Sequence, residues 1–146
     1  MGYFSSLDVS ASGMSAQRMR MDLISQNIAN ANTTRTEDGT PYRRQSLLLG
    51  ANITTPFSKY LSGTAREVLG DGKVQIRGVV EDNSDFRRVY EPDNPEADEE
   101  GYVSYPNVDI VTEMVDMISA SRSYEANVTA STASKNMAMQ ALNIGK

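Results

Sequence analysis

The acidic stretch at residues 91–102, EPDNPEADEEGY, has carboxylates at a spacing that could bind a cation. Glu96, Asp98 and Glu100 alternate ahead of Gly101, as the oxygen ligands of an EF-hand calcium loop do. The twelfth position of such a loop carries a bidentate Glu, and here that position is Asn107. We therefore interpret the stretch as a solvated loop and keep a calcium site as the weaker hypothesis.

Two other short motifs lack part of what their chemistry needs. The GDGK motif at residues 70–73 has neither the Walker spacing nor a Ser or Thr after Lys73, which favours a hairpin turn over a phosphate cradle. Glu81, Asp82 and Asp85 could form an acid–base pair, but the sequence offers no apolar surroundings that would raise one pKa. We expect all three carboxylates to be solvated.

Composition excludes most enzyme chemistry. The chain has no His and no Cys, which removes the commonest general base, thiolate nucleophiles and the usual transition-metal ligands, so we expect no catalytic residue, metal or cofactor. The net charge of −5 argues against nucleic acid and membrane surfaces. The pairs Arg43–Arg44 and Arg87–Arg88 lie on predicted strands, where neighbours point to opposite faces, so we expect surface pairing with acidic residues.

The first 33 residues predict a helical arm. Leu7, Met14, Met21 and Ile28 recur every seven residues, with Ala11, Ile24 and Ala31 on the same face, as in a narrow coiled-coil seam. Residues 5–32 also hold six Ser, three Asn and one Gly, all poor helix formers. We expect this helix not to form in isolation. The segment carries no Sec-type signal.

The central and C-terminal segments differ in period. Residues 34–106 contain all five prolines and predict a small antiparallel β element, with extended candidates at 42–53, 73–80 and 86–90. Residues 107–146 predict a second helical arm, with Asn107 as its N-cap. Its three–four stripe consists of Ile110, Met114, Met117, Ser121, Tyr124, Val128, Ser131, Lys135, Ala138 and Leu142.

The predicted fold is therefore mainly α with a small β element: two long terminal helices pair like a coiled coil, and a β-hairpin and loops lie between them. The second arm is apolar over more than one face at its start, where Val111, Val115 and Ile118 widen the stripe. Either an ordinary α+β domain folds these faces inward, or the arms pack between subunits. The asparagines of SQNIANANT (25–33) favour the second alternative, because amides can cross-link packed helices.

The motif SQNIANANTTRT at residues 25–36 resembles the N-terminal signature of the flagellar axial proteins, the bacterial rod, hook and hook-associated family. The segment from Tyr105 to the C-terminus, including MISASRSYEANV, is similar to the family's second signature. The likeness spans essentially the whole chain. Thr112 departs from it, since a Glu is common at that position, and so does the wording of residues 81–93.

The resemblance implies a structural subunit of the proximal part of the basal-body rod, exported without a cleaved Sec signal to the periplasmic rod, with no catalytic activity. It would polymerise through its terminal helices and transmit torque for motility. Its partners would be further copies, the rod proteins FlgB, FlgF and FlgG, the adaptor FliE, the MS-ring and the flagellar type III export apparatus. A soluble adaptor that binds a partner helix without polymerising is the alternative.

Subunit packing is assigned to residues on both arms. The seam and the resemblance together give, in the N-terminal arm, Leu7, Met14, Met21, Ile24, Asn27, Ile28, Ala29, Asn30, Ala31, Asn32 and Thr33. By the resemblance, the C-terminal arm contributes Ile110, Met114, Val115, Met117, Ile118, Arg122, Tyr124 and Val128.

Overall fold

A computed structural model describes residues 3–51 and 72–144. In chain order the elements are α1 (Tyr3–Ala29), β1 (Gln45–Ala51), β2 (Val74–Glu81), β3 (Arg87–Tyr90), β4 (Tyr102–Tyr105) and α2 (Ile110–Ile144). Helices of 27 and 35 residues flank four short strands. The predicted fold class, mainly helical with a small β element between two long helices, is confirmed.

The strands form two separate pairs. β1 pairs with β2, and β3 pairs with β4 in antiparallel register, with Arg87 opposite Tyr105 and Tyr90 opposite Tyr102. The three extended candidates coincide with β1, β2 and β3, although residues 52 and 53 of the first lie outside the described residues. β4 was not predicted, because a strand of four residues directly after an acidic loop is too short to show the two-residue alternation of a strand.

The N-terminal helix ends inside the asparagine run. Its last residue is Ala29, and residues 30–32 form a turn, so the helix ends four residues before the predicted helical arm does at residue 33. Asn30 Nδ2 donates to the carbonyl of Gln26 at 2.9 Å, and Thr33 Oγ1 donates to Asn30 Oδ1 at 3.2 Å. These side-chain bonds replace those that a further helical turn would need.

The predicted cap of the C-terminal helix was wrong by two residues. Asp109 caps α2: its Oδ1 accepts a hydrogen bond from the N–H of Val111 at 3.0 Å, and its Oδ2 accepts one from Thr112 Oγ1 at 3.0 Å. These bonds lower the pKa of Asp109, the Thr112 bond most strongly. Asn107 lies before the helix, and its side chain bonds elsewhere.

The inward face of α2 agrees with the predicted stripe only in part: Met117, Ser121, Tyr124, Ser131 and Ala138 are half-buried. The other five residues of that stripe are exposed: Ile110, Met114, Val128, Lys135 and Leu142. A series of buried and half-buried positions recurs every three or four residues: Glu113, Met117, Ala120, Tyr124, Asn127, Ser131, Ser134 and Ala138. Because this period is close to 3.5, the face suits a helix pair.

The inward face of α1 is also displaced from the predicted seam. Leu7, Met14, Met21 and Ile28 are half-buried, and Ala11 is exposed. The buried residues of the helix are Ser10, Ala16, Leu23, Ile24 and Asn27. Small and polar side chains thus occupy much of the buried face of both helices.

The chain divides into two compact units, each containing part of both helices. The first takes in the described residues up to Met19, those of 48–78 and those from Ala120 onward. Within it, Gly13 of α1 faces Asn127 of α2 so closely that a Cβ on Gly13 would lie 2.9 Å from Asn127 Oδ1. The second unit comprises residues 20–47 and 79–119 and is described below. Neither described helix is both long and apolar enough to cross a membrane.

Candidate functional site

Asn27, in the last turn of α1, is the centre of a buried polar cluster in the second unit. Its side chain is 1% exposed and makes four hydrogen bonds. Nδ2 donates to the carbonyl of Gln45 at 2.9 Å and to Glu113 Oε2 at 3.0 Å. Oδ1 accepts from the N–H of Gln45 at 3.0 Å and from the Tyr42 hydroxyl at 2.9 Å. An amide has two donor and two acceptor positions, so this one is fully satisfied.

Glu113, in the first turn of α2, is a fully buried acid at 0% exposure. Besides the bond from Asn27, its Oε1 accepts a hydrogen bond from Arg44 Nε at 2.6 Å. The Arg44 side chain is 27% exposed and also lies 3.6 Å from the carboxylate of Asp116. A buried carboxylate is costly unless a cation and hydrogen bonds compensate it, and Arg44 supplies that cation.

The backbone at the start of β1 is held by two asparagine side chains. Asn27 bonds both the N–H and the carbonyl of Gln45. Asn107 Oδ1 accepts from the N–H of Arg44 at 2.9 Å, while the carbonyl of Arg44 accepts from the N–H of Asp82 at 2.8 Å. Both residues therefore have their backbone groups paired, as buried backbone requires.

Tyr42 completes the cluster from the chain segment before β1. Burial is the main cause that raises the pKa of its hydroxyl, and the negative charges of Glu113 and Glu81 add to the increase. The raised pKa extends to higher pH the range in which the hydroxyl stays protonated and can donate to Asn27.

Of this cluster, only Asn27 is among the residues predicted from the sequence to form a site. Asn27 was selected as a subunit-packing residue, whereas Glu113 was not selected. Arg44 was expected to pair at the surface, and it instead pairs with a buried acid. The one available signal was an acidic residue at position 113 beside a long apolar stripe, and its partner Asn27 lies 86 residues away.

The Asp98 carboxylate, in the middle of the acidic loop at residues 91–102, stabilises the loop by accepting three hydrogen bonds. Asp98 Oδ1 accepts from the backbone N–H of Tyr102 at 2.8 Å and of Glu100 at 3.0 Å, and Oδ2 accepts from Arg88 at 2.7 Å. The Tyr102 bond is the main cause that lowers the pKa of Asp98. Within residues 3–51 and 72–144, no three acidic side chains converge as a metal site would require.

Large apolar side chains lie on the outside of α2, over its first turns. Val111 is 70% exposed, Met114 53%, Val115 61% and Ile118 57%. Their spacing of three and four residues places them on one face of the helix. We call these four residues the outer apolar face. It is opposite in character to the inward face at the same level, which carries Glu113 and Ala120.

A cleft of about 640 Å³ lies beside the start of this face. Ala31 and Asn32 of the asparagine run line it together with the segment from Pro106 to Ile110. The cleft therefore brings parts of both predicted packing segments to one place.

The predicted packing residues fall into three groups by exposure. Ile24, Asn27 and Ala31 are buried within the chain itself. The half-buried members are Leu7, Met14, Met21, Ile28, Asn30, Thr33, Met117 and Tyr124. The exposed members are Ala29, Asn32, Ile110, Met114, Val115, Ile118, Arg122 and Val128.

Two long terminal helices, short β pairs between them and large apolar side chains exposed on α2 are features of a structural subunit that packs against other chains. Two family models match the chain. "Flagella basal body rod protein" covers residues 7–35, and "Flagellar basal body rod FlgEFG protein C-terminal" covers residues 99–144.

Full-length relatives give the family. The chain is 48% identical to the flagellar basal-body rod protein FlgC of Bacillus subtilis, with 98% of each chain covered. It is 45% identical to FlgC of Borreliella burgdorferi, over 99% of this chain and 98% of the relative. FlgC of Aquifex aeolicus is 42% identical, over 94% and 92%. The chain belongs to the FlgC family of flagellar basal-body rod proteins, which confirms the resemblance noted in the sequence.

Proposed function

We propose that this chain is a structural, non-enzymatic subunit of the proximal rod of the bacterial flagellar basal body, and that it polymerises through its terminal helices to transmit torque. The names of its relatives support the rod assignment. The observation that carries the assembly mechanism is the outer apolar face of α2, whose four residues are all more than half exposed.

Hydrophobic burial supplies the driving force for assembly. Fully burying one side chain of the size of Val, Ile or Met contributes about 1.5–3 kcal/mol. The four residues of the outer apolar face are partly covered already, so each contributes a share of that value. An exposed apolar face of this kind marks an interaction surface. Repeated along a polymer, such contacts join each subunit to its neighbours.

The proposed contact surface takes in the exposed packing residues of both arms. Ile110, Arg122 and Val128 are the further exposed packing residues of α2. In the N-terminal arm, the half-buried Leu7, Met14 and Met21 retain surface that a neighbouring helix could cover. Buried Asn27, by contrast, acts first within the chain.

The further partners in this proposal are other rod proteins (FlgB, FlgF and FlgG), the adaptor FliE, the MS-ring and the flagellar type III export apparatus. The proposed location is the periplasmic rod. No cofactor is part of the proposal.

Charge placed on the outer apolar face tests the proposal. Val115→Asp should abolish rod incorporation and motility in a strain lacking the native gene, while the circular dichroism of the purified protein stays unchanged, because Val115 is 61% exposed. Val79→Asp makes the same change at an exposed position of β2, outside the helices, and should still assemble.

Normal motility with Val115→Asp would contradict the proposal. Sedimentation as a complex with a single partner protein, without polymers, would favour a soluble adaptor instead.

A further inference from the structure

We propose that residues 42–45, here called the latch, couple the two helices to the β segment: α1 and α2 close against each other at their polar end only when the latch is docked. This inference rests on contacts within the second unit and does not depend on the proposed assembly function.

The latch supplies most of the polar contacts at this end of the helix pair. Asn27 and Glu113 share one direct hydrogen bond, of 3.0 Å. The other three bonds of the Asn27 side chain go to Tyr42 and Gln45 of the latch. The cation that compensates Glu113 is Arg44, also of the latch.

Removal of the latch would leave the closed helices with uncompensated polar groups. Glu113 is fully buried, so its carboxylate would lose its closest cation in a site shielded from water. Asn27 would lose three of its four partners. Because buried groups without partners are costly, the helices would separate there to let water in.

Docking of the latch also depends on the ends of the two helices. The N–H of Arg44 is paired by Asn107, three residues before α2 begins, and both backbone groups of Gln45 are paired by Asn27 of α1. A docked latch therefore needs both helix ends in place. The three segments form one cooperative unit in which each satisfies groups on the other two.

Hydrogen exchange in the full-length monomer tests the coupling. Arg44→Met should speed exchange at least tenfold at amides of residues 24–29 of α1 and 113–118 of α2, although Arg44 belongs to neither helix. Arg88→Met is the matched control, because it breaks an ion pair with Asp98 that is exposed on both sides. That control should leave both helix segments within twofold of the parent protein.

A second variant keeps the test decisive if Arg44→Met unfolds the chain. Adding Glu113→Gln to Arg44→Met removes the buried charge that needs a cation and keeps an oxygen that can accept the Asn27 bond, so helix protection should recover to within threefold of the parent. The proposal is overturned if Arg44→Met affects only amides next to residue 44. It is equally overturned if the double variant is no better protected than the single one.

Discussion

The Asn27 side chain and the Gln45 backbone exchange two hydrogen bonds, of 2.9 and 3.0 Å, so a helical residue pairs with a strand residue as a neighbouring strand would. This relationship explains why an asparagine stands in the last turn of α1, where Ala or Leu would form a better helix. Its amide supplies both a donor and an acceptor to the Gln45 backbone.

Asn27→Ala should destabilise the protein by about 2–4 kcal/mol, because several buried polar groups lose a partner at once. Urea unfolding followed by circular dichroism measures the change. Asn32→Ala is the control: Asn32 is exposed and five residues further along, so its substitution should change stability by less than about 0.5 kcal/mol. Equal effects of the two substitutions would show that the cluster does not determine stability.

Comparing the stabilities of Gly101→Ala and Gly39→Ala distinguishes the cost of backbone strain, which both substitutions have, from the cost of a steric clash, which only Gly101→Ala has. Both glycines have positive φ, 82° and 76°, so each substitution should cost about 1–2 kcal/mol of left-handed strain. At Gly101 the new Cβ would also lie 2.9 Å from the Tyr90 ring, whereas nothing lies within 4 Å at Gly39. Because the Tyr90 ring is 62% exposed and can shift, the clash should add less at Gly101 than the roughly 1–3 kcal/mol that overpacking costs in a packed core. Thermal or urea unfolding of the pair measures the difference, and equal losses would contradict the predicted clash.

Tyr42 should make the protein sensitive to alkali. Its pKa is raised in the folded state, above an ordinary value of about 10, chiefly by burial. Its stabilising contribution is therefore fully present below about pH 10 and is lost as the pH rises through the folded-state pKa. Tyr42→Phe should lower stability at neutral pH, by loss of the hydroxyl bond, and flatten its decline at high pH. Urea titrations at pH 8 to 11 test this, and an unchanged alkaline slope would contradict it.

Asp98 should make the protein sensitive to acid, whereas Tyr42 makes it sensitive to alkali. Its pKa is lowered in the folded state, mainly by the N–H of Tyr102, so its contribution is present above about pH 4 and is lost as the pH falls through the lowered pKa. Asp98→Asn should reduce the near-ultraviolet circular dichroism of the Tyr90–Tyr102 ring pair, which is 5.3 Å apart. Asp93→Asn, in the same loop and exposed, should leave that signal and its acid midpoint unchanged.

The folding role of Asp98 also changes the test of a calcium site. Loss of function in an Asp98→Ala variant would report a disrupted loop as readily as a lost cation, because three of the loop's contacts end on that carboxylate. Calorimetry of the parent protein with calcium avoids this ambiguity.

The sequence alone determined the two long helices, three of the four strands that the structure describes and the lack of His and Cys. These features can be predicted from sequence because helical period, proline placement and composition are local properties, which do not depend on which segments contact each other in the fold. Its signature motifs also indicated the family. The helix boundaries differed from the prediction, because side-chain hydrogen bonds decide them: Asn30 bonds at the end of α1, and Asp109 bonds at the start of α2.

Only the tertiary structure decided which helix faces turn inward and which residues form the polar cluster. Val111 and Glu113 lie two positions apart, one 70% exposed and the other fully buried, against the order that hydrophobicity predicts. The reason is that Glu113 finds Asn27 and Arg44, partners 86 and 69 residues away, and such compensation depends on the folded chain rather than on local sequence.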